Sequence, residues 1–397
     1  MNGSQDASPG PVPALLLRAE TSALTPQPPV QSKEEDSDTE TFRLDLGHFK
    51  VLNQELTWVV HNYDLVNHFE NFKSRQEFSL ARDGIADLRR GSDFRNSLPA
   101  QVATAAAKVE PIKSSIHTRW PSLEGILTRV FAQSHYDEVS KALRDEDSHD
   151  PLVGYILYVV LSYGHYFTFH DQIPTCLNER EGFMDLVWPF IRGAMTLARI
   201  ETRSLEILIS GVQERKNLDK NPFQDTQQVG QFADGIAFRG SAQLYLSEAA
   251  LLHSPKADKA AWDEFKLARA MRDSWISQVR SACRETVPRR GMAVFGSTSH
   301  KDETKIWRLD FRGVFRLMQF DAFLVPVTKQ EFGAKAKVAI KCCMELALRV
   351  AEEVEARLAD APTIDFEQRT ELEDAVSAID VTTLTPCRSR TKRRRAD

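Results

Sequence analysis

An α+β fold, with a mixed central sheet flanked by helices, follows from three features of this 397-residue chain. Apolar residues recur at helical spacing in the first half and again near the end. Between about 236 and 325 they alternate, or run together, as strands do. The resulting order of helix, strand, strand, helix, strand, strand, strand, helix is that of helices packed on a mixed sheet, and an α/β layering is its near variant.

Taken in order, residues 1–41 hold six prolines and then the acidic run Glu34-Glu35-Asp36-Ser37-Asp38-Thr39-Glu40. Such a stretch has too little apolar surface to offset the ordering of its chain, so it is expected to be a disordered arm. Residues 42–180 read as a mostly helical domain. Leu56, Val59, Val60 and Tyr63 share helical spacing, as do Leu123, Ile126, Leu127 and Val130. Asp150-Pro151 is a helix entry, with Asp150 placed to accept backbone N–H bonds and Pro151 at the first helical position. Leu152 to Tyr163 is the buried helix that follows.

A second unit, 181–360, opens with an amphipathic helix from Phe183 to Ala198, in which Pro189 marks a kink or the true start. Ile236 and Phe238, then Leu244 and Leu246, alternate about the turn Arg239-Gly240-Ser241-Ala242, which predicts a hairpin. Lys259 to Cys283 is helical. Met292 to Phe295 is a short strand ending at Gly296-Ser297-Thr298-Ser299, and Ile306–Phe311 and Val314–Val325 are strands joined at Arg312-Gly313. Val338, Cys342, Leu346, Val350, Val354 and Leu358 then mark one long helix. Residues 361–397 are expected to form a flexible basic tail.

Composition narrows the function. A hydrophobic content of 42% supplies an ordinary core, enough for roughly two domains. Five cysteines without CxxC spacing argue against a disulfide framework and a zinc site, and for a reducing compartment. The longest apolar run, Leu152 to Tyr163, is short of the roughly 20 residues that span a bilayer, and no signal peptide is expected at the N-terminus. The net charge of −5 conceals an acidic body and a basic end: Arg388, Arg390, Lys392, Arg393, Arg394 and Arg395 face a single acid, Asp397. A nuclear import receptor reads such a run, so nuclear localisation is expected, with a merely solvated tail as the alternative.

The chemistry concentrates in Asp234, of Ala233-Asp234-Gly235-Ile236, and Glu248, fourteen residues further on. Two carboxylates on neighbouring strands can hold a hard divalent cation such as magnesium through oxygen. Set beside Glu206 upstream, this pattern resembles the PD-(D/E)xK, restriction-endonuclease-like superfamily over roughly residues 181–360. Its members carry a glutamate on a helix, then an acid on a hairpin, then Glu-x-Lys or Asp-x-Lys, then a helix. The resemblance implies Asp234 and Glu248 as metal ligands, Glu206 as the upstream acid, and a catalytic lysine two residues after Glu248. Ala250 stands there instead.

In some members that lysine has moved to a neighbouring element. Lys256 takes the role here, with Lys259, Lys266 and Lys216 as other substitutes. Arg308, Arg312 and Arg316 are expected to contact nucleic acid as an exposed stripe, or else to be cross-strand partners of acids such as Asp310. The glycine-poor Phe295-to-Ser299 segment is a turn and not a phosphate cradle, and His165, His170 and Asp171 lack metal-ligand spacing. The expected function is a nuclear binding or regulatory protein on a degenerate nuclease-like scaffold that contacts nucleic acid. The alternatives are an active magnesium-dependent nuclease with a relocated lysine, and a protein scaffold without catalysis.

Overall fold

The computed structural model describes residues 40–42, 58–76, 79–109, 115–175, 177–218, 220–221, 224–249, 257–282 and 292–358. The described residues begin with a small antiparallel sheet of β1 (Glu40–Phe42), β2 (Trp58–Val60) and β3 (Tyr63–Asp64). Helix α1 (Leu65–Lys73) follows, capped by Asp64, whose side chain accepts from the Asn67 N–H. Of the expected helical stripe, Leu56 lies outside the described residues, and Val59, Val60 and Tyr63 belong to a strand pair. A helical turn and a short β-hairpin both juxtapose residues 60 and 63, and the Trp58 and Val60 side chains are buried, as alternation in a strand requires. A 3-10 turn at Leu80–Asp83 leads through Gly84 into β4 (Ile85–Asp87).

Short helices then lead to the large sheet: α2 (Asp93–Asn96), α3 (Ala100–Ala106), α4 (Ile116–Arg119), α5 (Leu123–Val130) and α6 (Tyr136–Leu143). In α5, Leu123, Ile126, Leu127 and Val130 are all buried, as their spacing requires. Helix α7 (Pro151–Phe167) starts at the Asp150 cap with Pro151 in its first turn. After α8 (Glu179–Gly182) the chain makes one π-helical turn, Phe183–Val187, before α9 (Trp188–Leu197), so Pro189 sits in the first turn of α9 and disrupts nothing.

The remaining elements are β5 (Glu201–Leu208), α10 (Ser210–Lys216), β6 (Phe232–Arg239), β7 (Ala242–Ala249), α11 (Ala257–Ala282), β8 (Ala293–His300), β9 (Glu303–Phe311), β10 (Phe315–Leu324) and α12 (Phe332–Leu358). Seven strands form one mixed sheet in the order β4-β10-β9-β8-β7-β6-β5. The β4–β10 and β7–β8 pairs are parallel and the others antiparallel. Helices α10 and α11 pack one face through Val212, Leu267 and Met271 against Ile236, Leu246 and Val294. Helices α9 and α12 cover the other through Phe190, Ile191 and Ile340 against Ala237, Tyr245 and Phe295, and α7 packs on α9. This is the α+β architecture expected.

Two expectations need correction. The apolar cluster on the α7, α9 and α12 face runs from Leu123 to Val354, so the boundary expected near residue 180 does not separate two cores. Likewise the Phe295-to-Ser299 segment is no turn. Gly296 lies inside β8, where a Cβ would come within 2.7 Å of Met271 Sδ, so glycine lets α11 settle directly on the strand. Among the described residues, no helix is long and apolar enough to cross a membrane.

Polar ties hold α11 in place. The Arg89 guanidinium bridges Asp87 at the end of β4 and Glu264 on α11, each at 2.7 Å. Arg272 donates to the Asp83 carbonyl oxygen at 2.7 Å, and Arg215 on α10 pairs with Asp273 at 2.6 Å. With Arg272 and Asp273 both fully buried, these bonds fix the rotation of α11 and hence the direction of every side chain it carries.

Candidate active site

The β6–β7 register pairs Gly235 with Ser247 and Ile236 with Leu246, which sets Asp234 and Glu248 opposite one another. Opposed residues of an antiparallel pair project from the same face. That face is the one α11 covers, because a Cβ on the intervening Gly235 would collide with Trp188 of α9 on the other side. The Asp234 carboxylate accepts from the Ala249 N–H at 2.8 Å. Glu248 is buried and doubly held: Gln231 Nε2 donates to its Oε1 at 2.7 Å and Lys266 Nζ to its Oε2 at 3.3 Å. Lys266 comes from α11 and makes a second ion pair, at 3.0 Å, with Asp263 one turn earlier. Asp263 Oδ2 is buried without a hydrogen-bond partner.

Electrostatics follow from this crowding. Burial pushes the Glu248 carboxyl up to about 7, with Asp234 adding to the rise against the opposing pull of Lys266 and Gln231. Burial also raises Asp234, and the nearby Glu179 raises it further. Lys266 is raised as well: burial works to lower it, but Glu248 and Asp263 outweigh that and hold it above the ordinary lysine value.

Of the four lysines considered as substitutes, Lys266 alone among the described residues reaches Glu248. Lys259 pairs with Glu179 at the rim, and Lys216 donates to the Val229 carbonyl oxygen at 2.9 Å. Lys256 and Ala250 lie outside the described residues, as does the basic run from Arg388 to Arg395. Glu206 sits on a strand and not on a helix. It occupies a bulge of β5, where Leu205 and Glu206 take φ of 72° and 52°, and it is exposed and paired with Arg180. The acid that lies on a helix and influences Asp234 is Glu179, in the first turn of α8.

Glu179, Gln231 and Asp263 were therefore missed from sequence. Only the Asp263–Lys266 spacing of three, one helical face, carried a signal.

The arginines expected as an exposed stripe are buried instead. Arg316 and Asp310 face each other across β10 and β9, with Arg316 Nε donating to Asp310 Oδ1 at 2.5 Å and Nη2 to Oδ2 at 2.9 Å. Arg308 approaches the same carboxylate at 2.7 Å, and Arg312 is buried too. An alternating strand places residues 308 and 310 on one face, so these side chains serve a buried acid and not a phosphate backbone.

As to a metal, Asp234 and Glu248 are hard oxygen donors, and Asp234 raises the proton affinity of Glu248, a repulsion that a dication relieves. Lys266, at 3.3 Å, is a long and exchangeable partner for Glu248. The pair therefore fits a magnesium ion bound through two carboxylates. Among the described residues no group of three His, Cys, Asp or Glu side chains is gathered for a metal, and none is gathered around His165, His170 and Asp171.

The titration of Glu248 carries a stability consequence. Its proton is held more tightly in the folded chain than in the unfolded one, whose value is near 4.5. The group's contribution is therefore complete below pH 4.5 and is lost as the pH rises through 7. Glu248→Gln keeps the shape and removes the buried charge. It should unfold at a denaturant midpoint close to the parent's at pH 5 and stabilise the fold by about 1–3 kcal/mol at pH 8. A variant less stable than the parent at pH 8 would mean that the Glu248–Lys266 pair outweighs the burial. The chain matches no known family, no curated protein and no solved structure in comparisons with each.

Proposed function

We propose that the chain is a magnesium-dependent phosphodiester hydrolase acting on nucleic acid, with its lysine carried by the helix after the hairpin. The observation that supports this is the Lys266 ammonium 3.3 Å from Glu248, with Asp234 beside it on the adjacent strand. The order of elements runs from a helix bearing Glu179 through strands bearing Asp234 and Glu248 to α11, while Glu206, the upstream acid that the resemblance implied, stands on β5.

In this reading Asp234 and Glu248 hold the cation, which when bound polarises the phosphate. Gln231 fixes the Glu248 carboxylate, and Lys266 orients the attacking water and offsets charge on the phosphate oxygens. Water adds to phosphorus, one P–O ester bond breaks, and the products are a phosphomonoester and a hydroxyl end. Asp263 holds Lys266 charged on its far side. The basic run from Arg388 to Arg395 supports a nuclear setting.

Incubation of the full chain with single- and double-stranded DNA and RNA, in magnesium or manganese, is the test. Cleavage is expected that is absent without a divalent ion and absent in Asp234→Ala and Glu248→Ala. Equal products from the parent and both variants would reject the hydrolase. So would no products at all, which would favour the second reading of a non-catalytic binding protein. That reading draws support from Lys266 being engaged by two carboxylates and from the lack of a third metal-gathering acid among the described residues.

A further inference from the structure

We propose that His300 is the general base of the site, the group that takes the proton from the water attacking phosphorus. This deepens the phosphodiester reading above and rests on it. The parallel register of β7 and β8 sets Glu248 beside Thr298. A Cβ on Gly296 would meet Met271 of α11, so Gly296, Thr298 and His300, at alternate positions of β8, all turn toward that helix. His300 therefore shares the face of Glu248. From the rise along a strand and the spacing between strands, their Cα atoms lie roughly 8 Å apart, a separation that two long side chains can close around one water molecule.

Helix α11 brings Asp263 to the same place. It runs antiparallel to β8, since the Trp275 indole N–H donates to the Met292 carbonyl oxygen at 2.9 Å while Leu267 and Met271 meet Gly296. A helix rises about 1.5 Å per residue and a strand about 3.3 Å, so the next turn back along α11, which carries Asp263, lies over His300. Both residues bring an unsatisfied polar atom. His300 Nε2 and Asp263 Oδ2 are each buried without a hydrogen-bond partner among the described residues. Such an atom costs free energy until something hydrogen-bonds it, and two acceptors in one place are satisfied together by a molecule with two donors, as water is.

The other charges around His300 are engaged. Glu303, opposite His300 on β9, pairs with Lys305 at 3.7 Å, and Lys305 reaches Glu264 at 3.8 Å. Asp302, in the loop between β8 and β9, pairs with Lys335 at 3.4 Å. Lys266 lies between Glu248 and Asp263 and, as an ammonium group, accepts no proton. With Asp234 and Glu248 given to the cation, the imidazole is the base that this face provides. His300 as a residue is only partly buried, so its ring reaches from solvent to the interior.

In the step, the water oxygen bonds to phosphorus as its proton passes to His300 Nε2, while Asp263 Oδ2 accepts the water's other hydrogen. The P–O ester bond breaks and the leaving oxygen takes a proton from solvent. The imidazolium then returns its proton to solvent from the exposed side of the ring.

The test compares full-length parent, His300→Gln and His300→Ala in single-turnover cleavage, at saturating magnesium, of the nucleic acid that the parent cleaves fastest. Both variants should be slower by about a hundredfold while unfolding thermally as the parent does. Free imidazole should restore part of the rate to His300→Ala, in proportion to its neutral form, and none to His300→Gln, whose side chain fills the space. Bis(p-nitrophenyl) phosphate, whose leaving group departs without a proton, should show the same loss in both variants.

A His300→Gln rate close to the parent's would overturn the proposal and leave the hydrolase standing. So would a loss in His300→Ala that imidazole does not repair, which marks a structural role. A loss that vanishes on the p-nitrophenyl ester would also overturn it, making His300 the acid for the leaving group. A parent that cleaves none of these substrates overturns both readings together.

Discussion

Replacing Lys266 with methionine should slow phosphodiester cleavage by about a hundredfold to a thousandfold in single-turnover assays at saturating magnesium. Removal of one preorganised electrostatic group at a reacting centre has that size of effect. Methionine keeps the length and packing of the side chain, so the change isolates the ammonium group.

Three comparisons sharpen the result. Lys266→Arg should recover part of the rate, because a cation returns with altered geometry. Lys259→Ala should alter the rate much less, since that lysine meets Glu179 at the rim and not Glu248. Lys256→Ala should leave the rate unchanged. A large loss in Lys256→Ala alongside normal cleavage by Lys266→Met would return the catalytic role to Lys256, the lysine that sequence favoured.

The second large effect is on stability. Arg316 is fully buried and binds Asp310 through two nitrogens, while Nη1 also donates to the Ala106 carbonyl oxygen at 2.8 Å. Arg316→Met should destabilise the fold by about 3–5 kcal/mol in denaturant unfolding at pH 7, because Asp310 is left with fewer counter-charges in the interior. Burial pushes Asp310 up, but Arg316, Arg308 and Arg312 outweigh it and hold its carboxyl at about 2. This folded value lies below the ordinary 3.8, so the group's stabilisation is present above pH 3.8 and is lost as the pH falls toward 2. The parent should accordingly lose stability over that acid window. Asp310→Asn should be less stable than the parent at pH 7 and should lose the acid dependence attributable to this group. A parent whose stability is flat between pH 4 and pH 2 would contradict the assignment.

Much of the architecture was legible because regular elements announce themselves by period. The four buried positions of α5, the Asp150-Pro151 entry to α7, the hairpin about Gly240 and the stripe of α12 each followed from spacing alone. What failed was tertiary. Trp58 to Tyr63 satisfies helical and hairpin spacing equally, and only pairing with Glu40–Phe42 decides between them. The split near residue 180 looked natural because the pattern changes there, yet α7 packs on α9 and no period reveals which helices share a core.

The arginines at 308, 312 and 316 read as surface because polar residues in strands usually are. The register that brings Arg316 to Asp310 is a long-range fact. In the candidate site, the Asp234 and Glu248 pair was visible as a spacing. Lys266 could not be singled out from Lys259, because the choice depends on how α11 is rotated, and ties to Arg89, Arg215 and the Asp83 carbonyl oxygen set that from three other segments.

The bulge at Leu205 and Glu206 has a bearing on how the chain coexists with its own copies. β5 closes one edge of the seven-stranded sheet, and an edge strand of eight residues offers a row of backbone donors and acceptors to any passing strand. Two successive left-handed residues break that row in the middle, and Glu201, Arg203 and Glu206 put charge along it. At the opposite edge β4 has only three residues and α2 follows closely. Both borders of the sheet are thus poor templates for intermolecular strand addition, so a broad sheet can remain in solution without recruiting further chains into a fibre.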